Sequence, residues 1–114
     1  MSNTYENVIG RVKNIACEST KIIPAKINMR TRKKEIVFAQ YCVYWYANKY
    51  LKFSLAKCGA IFGKDHATAL HGIRDFYLED KYQVQERIEW RNKFLDLLRK
   101  EPELFRPLIS LDNE

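Results

Sequence analysis

The chain has 114 residues, of which 46% are hydrophobic and 30% are charged, and its formal net charge is +6. This length and composition predict one globular domain with its own core and exclude a disordered chain. Since no apolar run is long enough to span a membrane and the first ten residues lack a signal-peptide pattern, we expect a cytoplasmic protein without a membrane partner.

The charge is unevenly distributed along the sequence. Residues 1–74 contain 13 Lys and Arg against 4 Asp and Glu, whereas residues 75–114 contain 7 against 10. A basic first part favours a polyanionic partner, and an acidic last part is typical of a supporting face that points elsewhere. Charge alone favours nucleic acid only modestly, because small basic proteins are common.

The first predicted helix begins near Asn3, a good N-cap, and ends near residues 18–20. Its apolar residues recur at helical spacing and form one core-facing stripe, which comprises Val8, Val12, Ile15 and Ala16. Residues 22–24 are predicted to be extended or a turn, because the residue before Pro24 avoids helical geometry. One further helical turn can follow over residues 25–28.

A long helix is predicted from about Glu35 to Lys49. Its wide apolar stripe makes it the most buried helix, and we interpret its aromatic residues as core rather than as a platform for stacking bases. It follows a dense basic run, Arg30-Thr31-Arg32-Lys33-Lys34. From its residues alone, this run fits either a solvated loop or a phosphate-binding segment.

Residues 54–72 have the pattern of a helix-turn-helix. Ser54 can cap a first short helix, and Gly63 lies where a helix commonly ends in a left-handed residue. Asp65 can cap a second helix, which is predicted to bury Leu70 and Ile73. In such a motif the N-terminal side chains of the second helix reach base edges in the major groove.

A last amphipathic helix is predicted from Tyr82 to about Lys100, after a polar break. The apolar residues on one of its faces are Val84, Ile88, Leu95 and Leu98, with Phe94 and Leu97 beside them. We therefore predict a domain over residues 1–100 and a tail over residues 101–114. Two prolines should leave that tail non-helical or broken.

Residues 63–71, with the sequence GKDHATALH, carry a resemblance to a known family. They resemble the signature of the DNA-binding domain at the C-terminus of the bacterial replication initiator DnaA, and the resemblance continues from about Tyr5 to about Leu98. It implies an all-α fold, a small helical bundle with a Trp-repressor-like helix-turn-helix. It also implies sequence-specific binding of double-stranded DNA in replication initiation or its regulation, possible contacts with replication proteins, and phosphate binding as the role of the basic run.

The resemblance also assigns roles to individual residues. The major-groove readers would be Lys64, Asp65, His66, Ala67 and Thr68, and Arg32 would enter the minor groove. Phosphate contacts would come from Lys33, Lys34, Gln40, Asn48, Leu55 and Ala56, the last two through backbone N–H groups at a helix start. His71 is a further candidate, although it fits a packed, hydrogen-bonded histidine equally well.

The sequence departs from the family at several of these positions. The family has an Arg-Gln pair where this chain has Gln40-Tyr41, and often a basic residue at the position of Asn48. Its signature Arg-Asp-His-Thr-Thr is replaced here by Lys, Asp, His, Ala67 and Thr. Lysine reaches guanine as a point charge rather than as a fork, and the alanine loses a hydroxyl. We expect weaker affinity, and the preferred site remains open.

The sequence does not favour catalysis or cofactor binding. Residues 59–65 are a poor match to a nucleotide-binding loop, and His66 and His71 lie about 140° apart around a helix, too far to share a metal ion. The three cysteines, Cys17, Cys42 and Cys58, fit reduced core residues. No nucleophile–base pair stands out. We therefore expect no enzyme, nucleotide, metal or cofactor.

The absence of the ATPase module of DnaA from the sequence predicts a stand-alone domain, such as one encoded by a phage or another mobile element. Two alternatives to replication remain open. The fold could be retained as a protein-interaction module that has lost its affinity for DNA, or the same motif could serve a stand-alone transcriptional repressor.

Overall fold

The computed structural model describes residues 3–77 and 85–104 and contains no strand within them. The elements are α1 (Asn3–Thr20), a 3-10 turn (Pro24–Lys26), α2 (Lys34–Lys49), α3 (Leu55–Ala60), α4 (His66–Phe76) and α5 (Gln85–Arg99). The predicted all-α class is confirmed. The predicted polar break and the first turn of the last helix lie outside the described residues.

Helix α2 is the most buried of the described helices, as predicted, and it lies at the centre of the bundle. Helices α1, α4 and α5 all pack against it, and α1 also packs against α5. Ten of its residues are buried, namely Ile36, Phe38, Ala39, Gln40, Cys42, Val43, Tyr44, Trp45, Tyr46 and Ala47. This burial comes from a sequence that is apolar around most of the helix, and it leaves only a narrow surface for solvent.

The aromatic residues of α2 join the other helices to it. The Trp45 ring stacks on Phe76 of α4 with the ring centroids 4.5 Å apart, and it meets Phe94 of α5 edge-on at 6.2 Å. Phe38 also stacks on Phe76, at 6.2 Å. These rings are packed in the core rather than displayed to bases, which confirms the interpretation made from the sequence.

The chain immediately after α5 is part of the folded domain. Residues 102–104 form a helical turn that begins at Pro102, a position where proline is tolerated because its missing N–H would have no helical partner. Leu104 is fully buried, and its carbonyl accepts a hydrogen bond from the Tyr46 hydroxyl. The Arg11 guanidinium binds the carboxylates of Glu101 and Glu103. The predicted tail therefore starts as an ordered turn; its remainder, residues 105–114, lies outside the described residues.

Cys17, Cys42 and Cys58 are buried and free, as predicted. Burial raises the pKa of all three thiols, that of Cys58 to about 11, and so keeps them protonated. They behave as small apolar core residues. None of the described helices is both long and apolar enough to cross a membrane.

Candidate nucleic-acid interface

Local sequence signals fix the first helix of the helix-turn-helix. The Ser54 hydroxyl accepts a hydrogen bond of 3.1 Å from the Lys57 N–H, which confirms the predicted cap of α3. The turn that follows contains Gly63 at φ +70°, a left-handed conformation that glycine adopts without strain. The Lys64 N–H then bonds back to the Gly59 carbonyl at 2.8 Å. This turn leads the chain from α3 into α4.

Gly59 brings α3 unusually close to the start of α4. A Cβ atom placed on this residue would lie 2.4 Å from the Asp65 carbonyl oxygen and 2.7 Å from that of Lys64. Both neighbours are backbone atoms, so no change of rotamer could make room. The absence of a side chain at Gly59 therefore sets the position of the N-terminus of α4.

Helix α4 has one buried and one exposed face. The Asp65 carboxylate accepts a hydrogen bond of 2.9 Å from the Thr68 N–H, which confirms the predicted cap. The inward face comprises Ala69, Gly72, Ile73 and Phe76. Leu70, which was predicted to be buried, is only partly so. The exposed face comprises His66, Ala67, His71 and Arg74.

Arg74 was not identified from the sequence as a site residue. It lies three residues after His71 and seven after Ala67, which places all three on one side of the helix. Helical periodicity was the signal that could have found it. Its guanidinium adds a positive charge to the exposed face of α4, which otherwise carries histidines and small side chains.

His71 lies where α2, α4 and α5 meet. The Tyr41 ring packs edge-on against its imidazole, with centroids 6.0 Å apart, and a Cβ on Gly72 would come within 2.5 Å of that same ring. His71 Nε2 is 3.6 Å from the Asp75 carboxylate, which the Arg87 guanidinium of α5 approaches to 3.2 Å. His71 is thus exposed and also in contact with neighbouring side chains. Its position fits either a DNA contact or a packed histidine, the two roles predicted for it.

The basic run lies on the surface directly before α2. Arg30, Arg32, Lys33 and Lys34 are all exposed. No ion pair within the described residues involves any of these four cations. The Thr31 hydroxyl accepts a hydrogen bond of 3.2 Å from the Lys33 N–H, which shapes the last residues before the helix. The cations are therefore available to an external polyanion.

Gln40, to which the resemblance assigned a phosphate contact, points into the protein. Its side chain is only 7% exposed, and its amide donates to the carbonyl oxygens of Ile27, at 2.8 Å, and Met29, at 3.4 Å. A phosphate contact by this side chain is not supported, because its donors already bind two backbone carbonyls, that of Ile27 being buried. Gln40 instead ties the loop before the basic run to α2.

The other assigned phosphate contacts lie near the helix-turn-helix. The Asn48 amide donates a hydrogen bond of 2.9 Å to the Phe53 carbonyl and is partly exposed. Leu55 and Ala56 are the first residues of α3, where backbone N–H groups have no partner within the helix. Ala56 is exposed and Leu55 is partly buried.

The Asp65 cap should make stability depend on pH. Its hydrogen bonds with Thr68 lower the pKa of the Asp65 carboxyl below its usual value. A lowered folded-state pKa means that the contribution is complete above the unfolded pKa, near 4, and is lost as pH falls through the folded value. We expect Asp65→Asn, which keeps a capping oxygen, to give a melting temperature that falls less steeply than the parent's from pH 5 to about pH 2. Parallel curves would contradict this.

A short helix, a glycine turn and a capped second helix with one exposed face define a helix-turn-helix DNA-binding domain. The sequence profile of the family described as bacterial DnaA protein helix-turn-helix matches residues 9–75, which is more than half of the chain. The chain belongs to this family.

Curated relatives agree with this assignment. The chain is similar to proteins described as chromosomal replication initiator protein DnaA. It is 33% identical to that of Bacteroides thetaiotaomicron over 74 residues, 64% of this chain and 16% of the relative. It is 34% identical to that of Flavobacterium psychrophilum over 74 residues, 62% of this chain and 16% of the relative. The matched part is thus about a sixth of each relative's length. No solved structure matches the chain.

Proposed function

We propose that this protein binds double-stranded DNA in a sequence-specific manner, in the initiation of replication or its regulation. The observation that carries the proposal is the start of α4, where the side-chain cap and the close glycine contact position a first turn whose His66 and Ala67 are exposed. This is the part of a recognition helix that meets base edges in the major groove. The relatives' name, chromosomal replication initiator, supports the biological process.

The proposed major-groove readers lie along the exposed side of α4 and just before it. They are Lys64, Asp65, His66, Ala67 and Thr68, with His71 and Arg74 further along the helix. One Asp65 oxygen is used by the cap, which leaves the other to accept from a cytosine amino group. The Ala67 methyl is exposed and suits contact with a thymine methyl.

Phosphate and minor-groove contacts complete the proposed interface. Arg32 would enter the minor groove, and Lys33 and Lys34 would neutralise phosphates beside it. Leu55 and Ala56 would offer backbone N–H groups at the start of α3. Asn48 uses one amide N–H on the Phe53 carbonyl, and its second amide N–H would donate to a phosphate, whereas Gln40 takes no part.

Selection of bound duplexes from a random pool tests the proposal. We expect an enriched motif, and binding that weakens steeply as salt rises, because cations that contact phosphates release counterions. An enriched motif located at promoters rather than at origins would assign the same domain to a transcriptional repressor. Failure to enrich any motif, with no binding at low salt, would contradict DNA binding.

A protein-interaction module is the second candidate. The inward position of Gln40 favours it, because one phosphate contact assigned from the resemblance is missing. The basic run opposes it, because all four of its cations are exposed and none forms an ion pair among the residues that the structure describes.

Restoring the family's residue at position 67 tests whether the family's own site is still read. Ala67→Thr adds a hydroxyl to the first turn of α4 and keeps a methyl group. If this chain still reads the DNA site of its family, we expect the variant to bind that site more tightly and to bind random duplex as the parent does. The position is exposed, so stability should change by less than about 0.5 kcal/mol. Titrations of parent and variant at one fixed salt concentration measure the affinity for the family's site and for random duplex. If the affinity for the family's site does not increase, this chain reads a site of its own.

A further inference from the structure

Lys13 of α1 lies between the two segments to which DNA contacts are assigned. Its ammonium is 3.4 Å from the Asn28 side-chain oxygen and 5.0 Å from the centre of the Phe62 ring. Asn28 lies two residues before the start of the basic run, and Phe62 lies two residues before Lys64. One cation on α1 therefore touches the neighbours of both segments.

The charges around α1 distinguish Lys13 from the other cation in the middle of this helix. Arg11, two residues earlier, is bound by the carboxylates of Glu101 and Glu103. No ion pair in the described part of the chain involves Lys13. Arg11 thus holds the C-terminal turn in place, whereas no carboxylate among the described residues pairs with Lys13.

The two neighbours of Lys13 orient its ammonium without neutralising it. An aromatic face attracts a cation, and an amide oxygen accepts one of its three donors. Within the described part of the chain, Asn28 is the hydrogen-bond acceptor of this ammonium, and its other donors would bind oxygens of a ligand. The residue is half-buried, so its stem packs on the protein while its end reaches the surface.

We propose that Lys13 binds a backbone phosphate of duplex DNA on the stretch between the groove entered by α4 and the groove entered by the basic run. This inference rests on the proposed function.

Lys13→Met tests the proposal, with Lys93→Met as the matched control. Methionine keeps an unbranched stem and removes the charge, and Lys93 is an exposed residue of α5 whose loss changes the net charge equally. For Lys13→Met we expect the slope of log affinity against log salt to fall by about 1, with roughly five- to tenfold weaker binding at 0.1 M salt. The loss should be the same on selected and random duplexes. The Lys93 variant should have the same salt slope and the same affinity as the parent.

A further variant separates a phosphate contact from a structural role. Lys13→Arg keeps the charge and should keep the parent slope, and Lys13→Gln provides the neutral measurement if the methionine variant melts below the assay temperature. A neutral variant that is folded and retains the parent slope would overturn the proposal. If the parent binds no duplex at low salt, the proposed function itself fails, and this outcome is distinct because it is seen before any substitution.

Discussion

We expect Gly59→Ala to lower the free energy of unfolding by about 3 kcal/mol. The added carbon would lie 2.4 Å from the Asp65 carbonyl oxygen, which real Cβ atoms essentially never do. Overpacking in a well-packed interior costs about 1–3 kcal/mol, and backbone neighbours place this site at the upper end. Helix α3 and the start of α4 would have to separate. Chemical denaturation measures the loss.

Gly10→Ala is the matched control for this experiment. Gly10 lies within α1, and a Cβ placed there would meet nothing within 4 Å. The same substitution should therefore stabilise the protein by about 0.5–1 kcal/mol, because alanine is the better helix former. Equal effects at the two glycines would show that helix propensity rather than the α3–α4 approach governs Gly59.

A DNA-binding measurement on Gly59→Ala extends the test to function. If the close approach positions the first turn of α4, the folded fraction of the variant should discriminate less well between the selected motif and random duplex. Affinity for random duplex should change less, because the basic run is untouched. Unchanged discrimination would mean that α4 reaches its position without this contact.

Local signals allowed the helix-turn-helix to be predicted from the sequence. Ser54 caps α3 and Asp65 caps α4, as predicted, and Gly63 adopts the predicted left-handed conformation. These features depend on residues within four positions of one another, so the sequence displays them directly. The deep burial of α2 was also predictable, since few of its positions are polar.

Residues whose roles depend on distant neighbours were harder to predict. Gln40 was assigned to phosphate, but its partners are carbonyls of a loop 11 to 13 residues earlier, which no local pattern reveals. The turn at residues 102–104 is held by Arg11 and Tyr46, from the other end of the chain and from its centre. Arg74 was not among the predicted site residues, although helical spacing alone places it on the exposed face of α4, one turn after His71.

Replacing Lys33 and Lys34 together by alanine should strongly weaken DNA binding. Both are exposed at the start of α2, and no ion pair among the described residues involves them. Each phosphate contact contributes about 0.9 to the salt slope, so we expect the slope to fall by about 2 and binding at 0.1 M salt to weaken roughly 25- to 100-fold. The loss should be equal on all sequences, because phosphates carry no sequence information.

The control for this pair is the double variant Lys93→Ala/Lys100→Ala. Both lysines are exposed, one within α5 and one just after it, and their loss changes the net charge by the same amount. If long-range charge alone attracted DNA, the two double variants would weaken binding alike. If the basic run makes contacts, only the first should lower the slope, and the melting temperatures of both should stay near that of the parent, since exposed substitutions change stability little. A Lys33/Lys34 variant that binds like the parent at low salt would show that the run is only a solvated loop, and phosphate binding would then have to come from α3, α4 and Lys13.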